Sequence, residues 1–204
     1  LLNWLILMEE SDMDWKMVDK SLIVGHFGEV KPSETICGFD MDSTLTLTKG
    51  THTFCWNGDD WKWWNKEVPK KLKEEHKEGH WIVIMSNQNG IGKGHFSQAE
   101  LKKKMKAMHD DLKIPFTILA ATEEDNFRKP GDGMWKYFTK HLNEDVKVNY
   151  ETSFYCGDAA GRPATKSWKK DFTNTDKLFA IACKLKFLTP EQYFLKEEEK
   201  EEES

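Results

Sequence analysis

Phe39-Asp40-Met41-Asp42-Ser43-Thr44-Leu45-Thr46 decides how this chain is read. Two carboxylates sit one residue apart, directly after the apolar run Ile36-Cys37-Gly38-Phe39. A short apolar run of this kind reads as a strand buried on both faces of a parallel sheet. Ser43 and Thr44 break the run, which places Asp40 and Asp42 at the C-terminal end of the strand. In open α/β sheets that end is where ligands bind. With the backbone extended or tightly turned there, the two side chains diverge, so that one can attack a substrate while the other moves protons. An isolated pair of acids after a strand is more often a loop cap, so the reading depends on what the rest of the chain supplies.

Three later strand ends supply it. Trp81-Ile82-Val83-Ile84-Met85 reads as a second buried strand, followed by Ser86-Asn87-Gln88 and the loop Asn89-Gly90-Ile91-Gly92-Lys93-Gly94. Phe116 to Ala121 reads as a third strand, followed by Asn126-Phe127-Arg128-Lys129-Pro130. Ser153-Phe154-Tyr155-Cys156 reads as a fourth and ends at Gly157-Asp158-Ala159-Ala160-Gly161-Arg162. Between them the pattern predicts helices over 61–79, from Ser97 to about Leu112, over 133–141 and over 176–183. Ser97 with Glu100 three residues on reads as a capping box. A short strand near Phe187 and a helical turn at Pro190–Leu195 close the pattern. Strands alternating with helices predict an α/β fold with a Rossmann-like, three-layer, doubly wound parallel sheet. Asp14–Met17 and Ser21–Val24 predict short strands ahead of the core. The expected organisation is an N-terminal extension over 1–34, one catalytic domain over 35–195 and an acidic tail over 196–204.

Composition excludes several classes. No run reaches the roughly 18 apolar residues of a membrane span, and Leu1–Met8 has neither the basic lead nor the cleavage site of a signal peptide. The 4 cysteines are scattered with no C-x-x-C pair, which predicts a reducing, intracellular setting and no zinc site. The net charge of −5 looks adverse for a nucleic-acid enzyme. However, residues 196–204 carry six acids against two lysines, leaving the rest of the chain at −1. The lysines at 102, 103, 104 and 106 read as the solvated face of a helix. Gly90-Ile91-Gly92-Lys93-Gly94 lacks the Ser or Thr that must follow the lysine of a nucleotide-binding P-loop, so no kinase activity is expected. Trp61 and Trp64 read as packing residues, with base stacking as the other use open to the cluster from Trp56 to Trp64.

Taken in order, D-M-D-S-T, S-N-Q-N-G-I-G-K-G, R-K-P and G-D-A-A-G-R resemble the haloacid-dehalogenase superfamily of phosphatases. More closely, they resemble the 3′-phosphatase domains of polynucleotide kinase/phosphatases and their stand-alone DNA 3′-phosphatase relatives. The likeness runs from about Trp15 to Leu195. It departs at Ser43, where the family usually has Gly, and at Ser86, where Thr is usual; neither change removes a needed functional group. The resemblance implies a fold with only a small flap, over 46–60, as its cap. It implies Mg²⁺ held by Asp40, the backbone carbonyl of Asp42, and Asp158. Asp40 is then the nucleophile and Asp42 the general acid and base, with a carboxyl pKa raised by its neighbours. Ser86 binds a phosphoryl oxygen and Lys129 neutralises developing charge. Thr44, Asn87, Gln88, Lys93, Arg128 and Arg162 complete the expected substrate-binding set. The superfamily often places a second acid close behind the third one; here none follows Asp158 until Asp171, whose role stays open. The implied partner is a DNA 3′ end, single-stranded or frayed from a duplex, handled by a monomer in the nucleus during strand-break repair. A phosphatase for a sugar or histidinol phosphate, and a catalytically inactive nucleic-acid-binding module, are the competing readings.

Overall fold

The computed structural model describes residues 13–144, 146–164 and 169–197. In chain order the strands are β1 (Met13–Val18), β2 (Leu22–Phe27), β3 (Ile36–Phe39), β4 (Thr46–Leu47), β5 (Lys62–Trp63), β6 (Trp81–Asn87), β7 (Phe116–Ala121), β8 (Phe154–Cys156) and β9 (Lys186–Leu188). The helices are α1 (Glu67–Lys77), α2 (Asn89–Gly92), α3 (Gln98–Leu112), α4 (Gly133–His141), α5 (Thr175–Ala182) and α6 (Pro190–Leu195). Seven strands form one sheet in the order β1-β2-β7-β6-β3-β8-β9, and β4 pairs β5 in a separate flap. The strands from β7 to β9 run parallel, whereas β1 and β2 join antiparallel at one edge.

β3 lies at the point where the winding reverses. The chain leaves it for β6 and β7 on one side, then crosses to β8 and β9 on the other. The crevice at such a switch point opens beyond the strand ends, and Asp40 is the first residue past β3. Side chains of β6 alternate between two apolar layers: Ile82 and Ile84 face one, Trp81, Val83 and Met85 the other. The first layer takes Val68 and Leu72 of α1, Leu101, Met105, Met108 and Leu112 of α3, and Phe194 of α6. The second takes Met134, Trp135 and Phe138 of α4 with Phe179 and Ala180 of α5. Helices on both faces of a mainly parallel sheet give the predicted three layers.

The local differences from the sequence reading have physical causes. The helix expected over 61–79 starts at Glu67 instead. A start at 61 would bury Pro69 in a helix interior, whereas a start at 67 leaves it in the first turn, where its missing N–H costs nothing. Lys62 and Trp63 are released to pair with Leu47 and Thr46. Trp61, Trp63 and Trp64 pack partly buried against the first apolar layer, while Trp56 stays 68% exposed. Ser97 caps α3 by accepting from the Glu100 backbone N–H, but the Glu100 carboxylate turns away to accept from the Gly58 N–H, so the capping box is only half formed. Among the described residues no helix is long and apolar enough to cross a membrane, and all four cysteines are free thiols. Residues 1–12 and nearly all of the predicted acidic tail lie outside the described residues.

Candidate active site

The chain turns sharply after Asp40. Its backbone N–H still donates to the Cys156 carbonyl of β8 at 2.8 Å, so the strand holds it in register. Leu45 and Thr46 N–H groups then both bond the Met41 carbonyl, and Ser43 N–H bonds the Thr46 carbonyl. Ser43 takes a left-handed φ of 62° to close this turn, which accounts for Gly being usual there. Both Asp40 and Asp42 thereby face a cleft of about 780 Å³ that is also lined by Ser86, Asn87, Gln88, Lys93, Arg128, Lys129 and Asp158.

Lys129 sits at the base of the cleft, only 2% exposed. Its three ammonium protons have three acceptors: Asp40 Oδ1 at 2.7 Å, Asp176 Oδ1 at 2.7 Å and the Tyr155 hydroxyl at 2.8 Å. Tyr155 in turn donates to the Met85 carbonyl at 2.7 Å. Its ring lies against Gly38 of β3, where a Cβ would come within 2.9 Å of it. Burial would lower the Lys129 pKa, but the Asp176 and Asp40 carboxylates outweigh it and raise it.

Several residues expected to touch substrate also hold the site together. Asn87 accepts from the Lys129 N–H at 2.9 Å and donates to the Lys129 carbonyl at 3.0 Å, clamping its backbone. Gln88 Nε2 donates to Asp42 Oδ2 at 2.8 Å and to Ser86 Oγ at 3.0 Å. Thr44 donates to Asp158 Oδ1 at 3.1 Å and accepts from the Asp158 N–H at 3.0 Å. Arg162 is drawn to Asp171 and Glu191, both at 2.9 Å, and is not among the described residues that line the cleft. Asp171 accepts from both the backbone N–H and the Nε of Arg162, each at 2.9 Å. Lys93, exposed, and Arg128, half-buried, stand on the cleft wall as expected.

Two functional residues escaped the sequence reading. Asp176, at the start of α5, brings its carboxylate beside those of Asp40 and Asp158, with one oxygen from each within 4.8 Å of the others. Gly157 makes room for it, since a Cβ there would collide with the Asp176 side chain, and Ala159 N–H donates to it at 3.0 Å. The second is Lys104, read from sequence as solvated. It is 1% exposed, and its ammonium donates to Asp42 Oδ1 at 2.9 Å. A lysine among other lysines carries no local mark of burial, but position 104 falls one turn from Leu101 and Met108 on the apolar stripe of α3, and that periodicity was the available signal.

The electrostatics divide the acids into two kinds. Burial raises Asp158 to about 8, with Asp40 and Asp176 adding to the effect. Burial also raises Asp40, to about 6, with Asp176 and Asp42 adding and Lys129 opposing. Burial pushes Asp42 up as well, but the Lys104 charge and the hydrogen bonds from Lys104 and Gln88 prevail and set it below the usual range. In the ligand-free protein Asp42 is therefore held as the anion, and the protonated form expected from sequence needs the charge of a bound phosphate as well as that of Asp40. Four buried or half-buried carboxylates (Asp40, Asp42, Asp158 and Asp176) face two buried ammonium groups (Lys104 and Lys129). With all four ionised, two negative charges are left unbalanced, and an all-oxygen cluster of that charge fits a hard divalent cation such as Mg²⁺, whose binding displaces the carboxyl protons. Asp40, Asp158 and Asp176 are the side chains that would hold it. The arrangement places the carboxylates of Asp40 and Asp42, the Ser86 hydroxyl and the fixed Lys129 cation around one cleft.

The sheet order and the small flap give a haloacid-dehalogenase-like fold. Within it, the chain belongs to the family described as polynucleotide kinase 3 phosphatase, whose model matches residues 35–194. It is 36% identical over 189 residues to a bifunctional polynucleotide phosphatase/kinase of Schizosaccharomyces pombe, covering 93% of this chain and 44% of that protein. It is 31% identical over 195 residues to a polynucleotide 3′-phosphatase of Arabidopsis thaliana, covering 89% of this chain and 27% of that protein. This chain therefore spans less than half the length of either relative. Among solved structures, a D,D-heptose 1,7-bisphosphate phosphatase from B. bronchiseptica complexed with magnesium and phosphate shares the fold at a TM-score of 0.59. Its identity is 16%, covering 82% of this chain and 89% of that one.

Proposed function

We propose that this chain removes the terminal phosphate from 3′ ends of DNA, through an aspartyl phosphate on Asp40, in strand-break repair in the nucleus. The observation that carries the substrate class is the likeness over nine-tenths of the chain to proteins named for polynucleotide phosphatase activity. Lys93 and Arg128 on the cleft wall support it, because cations there can pair with the backbone phosphates of a strand. Phe54 and Phe172, exposed on the same wall, offer faces for base stacking.

The chemistry follows from the side chains. Asp40 attacks phosphorus and displaces the 3′-oxygen, which takes a proton from Asp42. Asp42 then removes a proton from water, and the resulting hydroxide releases phosphate from Asp40. Splitting the reaction into two displacements lowers each barrier. Asp42 must be protonated before the first step, although Lys104 favours its anion. The incoming phosphate, with a charge near −1.5 to −2, sets a like charge beside it and opposes that pull. Ser86 Oγ donates to a phosphoryl oxygen, and Lys129 offsets charge accumulating between Asp40 and the phosphoryl group. Mg²⁺ supplies charge stabilisation for the phosphoryl oxygens when bound.

The test replaces Lys93 and Arg128 with Ala, singly and together. The expected result is a higher KM for a 3′-phosphorylated oligonucleotide, with a log–log salt slope flattened by about 0.7 per lost phosphate contact, and little change on an aryl phosphate. Equal losses on both substrates would assign the two cations to the scissile phosphate alone and remove the support for an entering strand.

A further inference from the structure

α3 reaches the cleft through one residue, and that residue has little structural use apart from the site. The Lys104 ammonium touches Asp42 Oδ1 at 2.9 Å and Cys55 Sγ at 3.5 Å, and both partners line the cleft. Burying an ammonium is costly unless a paired charge offsets it, and an apolar side chain at this position on the helix would pack more cheaply. The neighbouring turns of α3 engage the flap as well: Glu100 accepts from Gly58 N–H and Lys103 pairs with Asp59. One helix face thus holds the flap segment 55–60 and the Asp42 side chain together.

Resting on the phosphatase reading, we propose that Lys104 is a positioning residue for Asp42. With Gln88 on Oδ2 and Lys104 on Oδ1, both oxygens of the carboxylate are gripped from different elements, β6's end and α3. The plane of the carboxylate is fixed toward the cleft. Each oxygen keeps a second lone pair, so the group still gives and takes a proton. A lysine supplies only donors, which holds Asp42 by an oxygen without offering it a competing acceptor. Lys104 does not itself meet the substrate; it sets the angle at which Asp42 meets the leaving oxygen and, later, the water. Its contact with Cys55 ties that angle to the seating of the flap.

A double-mutant cycle tests this, using Lys104→Met, Asp42→Asn and the pair, with a 3′-phosphorylated oligonucleotide as substrate. Lys104→Met is expected to lower kcat by at least about tenfold, within the range of general acid–base contributions, while KM moves less than about threefold. In the Asp42→Asn background the same substitution is expected to cost less than about threefold, because the group it positions is gone. Equal losses in both backgrounds, an effect confined to KM, or no effect would overturn the inference. Should Lys104→Met alone fail to fold, the uncharged Asp42→Asn/Lys104→Met pair is compared with Asp42→Asn. Equal kcat supports the proposal and a further drop contradicts it. A parent chain inactive on every phosphate monoester would remove the phosphatase reading and this inference together, whereas an active parent matched by Lys104→Met would remove this inference alone.

Discussion

Thr44 and Asp158 grip each other through two hydrogen bonds, one from each side. The hydroxyl donates to Asp158 Oδ1 and accepts from the Asp158 N–H. They lie 114 residues apart in sequence, on turns after β3 and β8, so this pair ties the loop of Asp40 and Asp42 to the loop of Asp158. Thr44→Val keeps the volume and removes both bonds, leaving an Asp158 N–H without its partner. The expected cost is about 1–3 kcal/mol of stability, together with a higher Mg²⁺ concentration for half-maximal activity. Thermal melting and a Mg²⁺ titration measure both, and an unchanged Mg²⁺ requirement would contradict the positioning role.

Asp176 contributes to two parts of the site at once, holding Lys129 at 2.7 Å and offering a carboxylate to the metal cluster. Asp176→Asn is therefore expected to weaken Mg²⁺ binding and to lower turnover by about 10²-fold or more, the scale of losing one electrostatic group at a reacting centre. Isothermal titration with Mg²⁺ separates the effects. Unaltered Mg²⁺ affinity would place Asp176 with Lys129 alone.

The raised acids predict a pH-dependent link between metal and stability. Asp158 stands at about 8 and Asp40 at about 6 in the metal-free fold, against about 3.9 for an unfolded aspartate. Groups raised on folding stabilise the protein fully below the unfolded value, and that contribution is lost as pH rises through the folded value. Without divalent ions, the melting temperature should fall as pH rises from about 4, most steeply up to about 6, and level off above about 8. Mg²⁺ binds the ionised carboxylates and releases their protons, so its stabilising shift should grow over the same range. Asp158→Asn should flatten both trends. A Mg²⁺ shift that shrinks toward alkaline pH would contradict the cluster.

Ser43 closes the turn at a φ of 62°, a conformation that glycine adopts without the Cβ penalty. Ser43→Gly is expected to stabilise the chain by up to about 1 kcal/mol, roughly 2–4 °C in melting temperature for a protein of this size. A calorimetric scan checks it. A lowered melting temperature would mean that the Ser43 side chain makes a stabilising contact of its own.

Strands β3, β6, β7 and β8 were legible because each is a short apolar run closed by a polar break. β7, α4 and α6 match their expected bounds residue for residue. Asp40, Asp42, Lys129 and Asp158 follow strand ends and Ser86 stands one residue before the end of β6, so one rule about α/β sheets brings them together on the cleft. What stayed hidden comes from helices. Asp176 and Lys104 lie on α5 and α3, and their roles depend on how those helices dock. The hydrogen bonds that Thr44, Asn87 and Gln88 make to Asp158, Lys129 and Asp42 were not legible, because buried polar groups find partners far away in sequence. Arg162 stands near enough in sequence to the third acid to suggest a phosphate contact, but Asp171 and Glu191 engage it.

The central claim concerns which phosphate the cleft takes. The most direct measurement compares kcat/KM for phosphate release from a 3′-phosphorylated oligonucleotide, its 5′-phosphorylated counterpart and a heptose bisphosphate, each with and without Mg²⁺. The account predicts a strong preference for the 3′-phosphorylated strand, Mg²⁺ dependence throughout, and loss of turnover in Asp40→Asn. A heptose bisphosphate or 5′-phosphorylated strand that outperforms the 3′-phosphorylated one would contradict it.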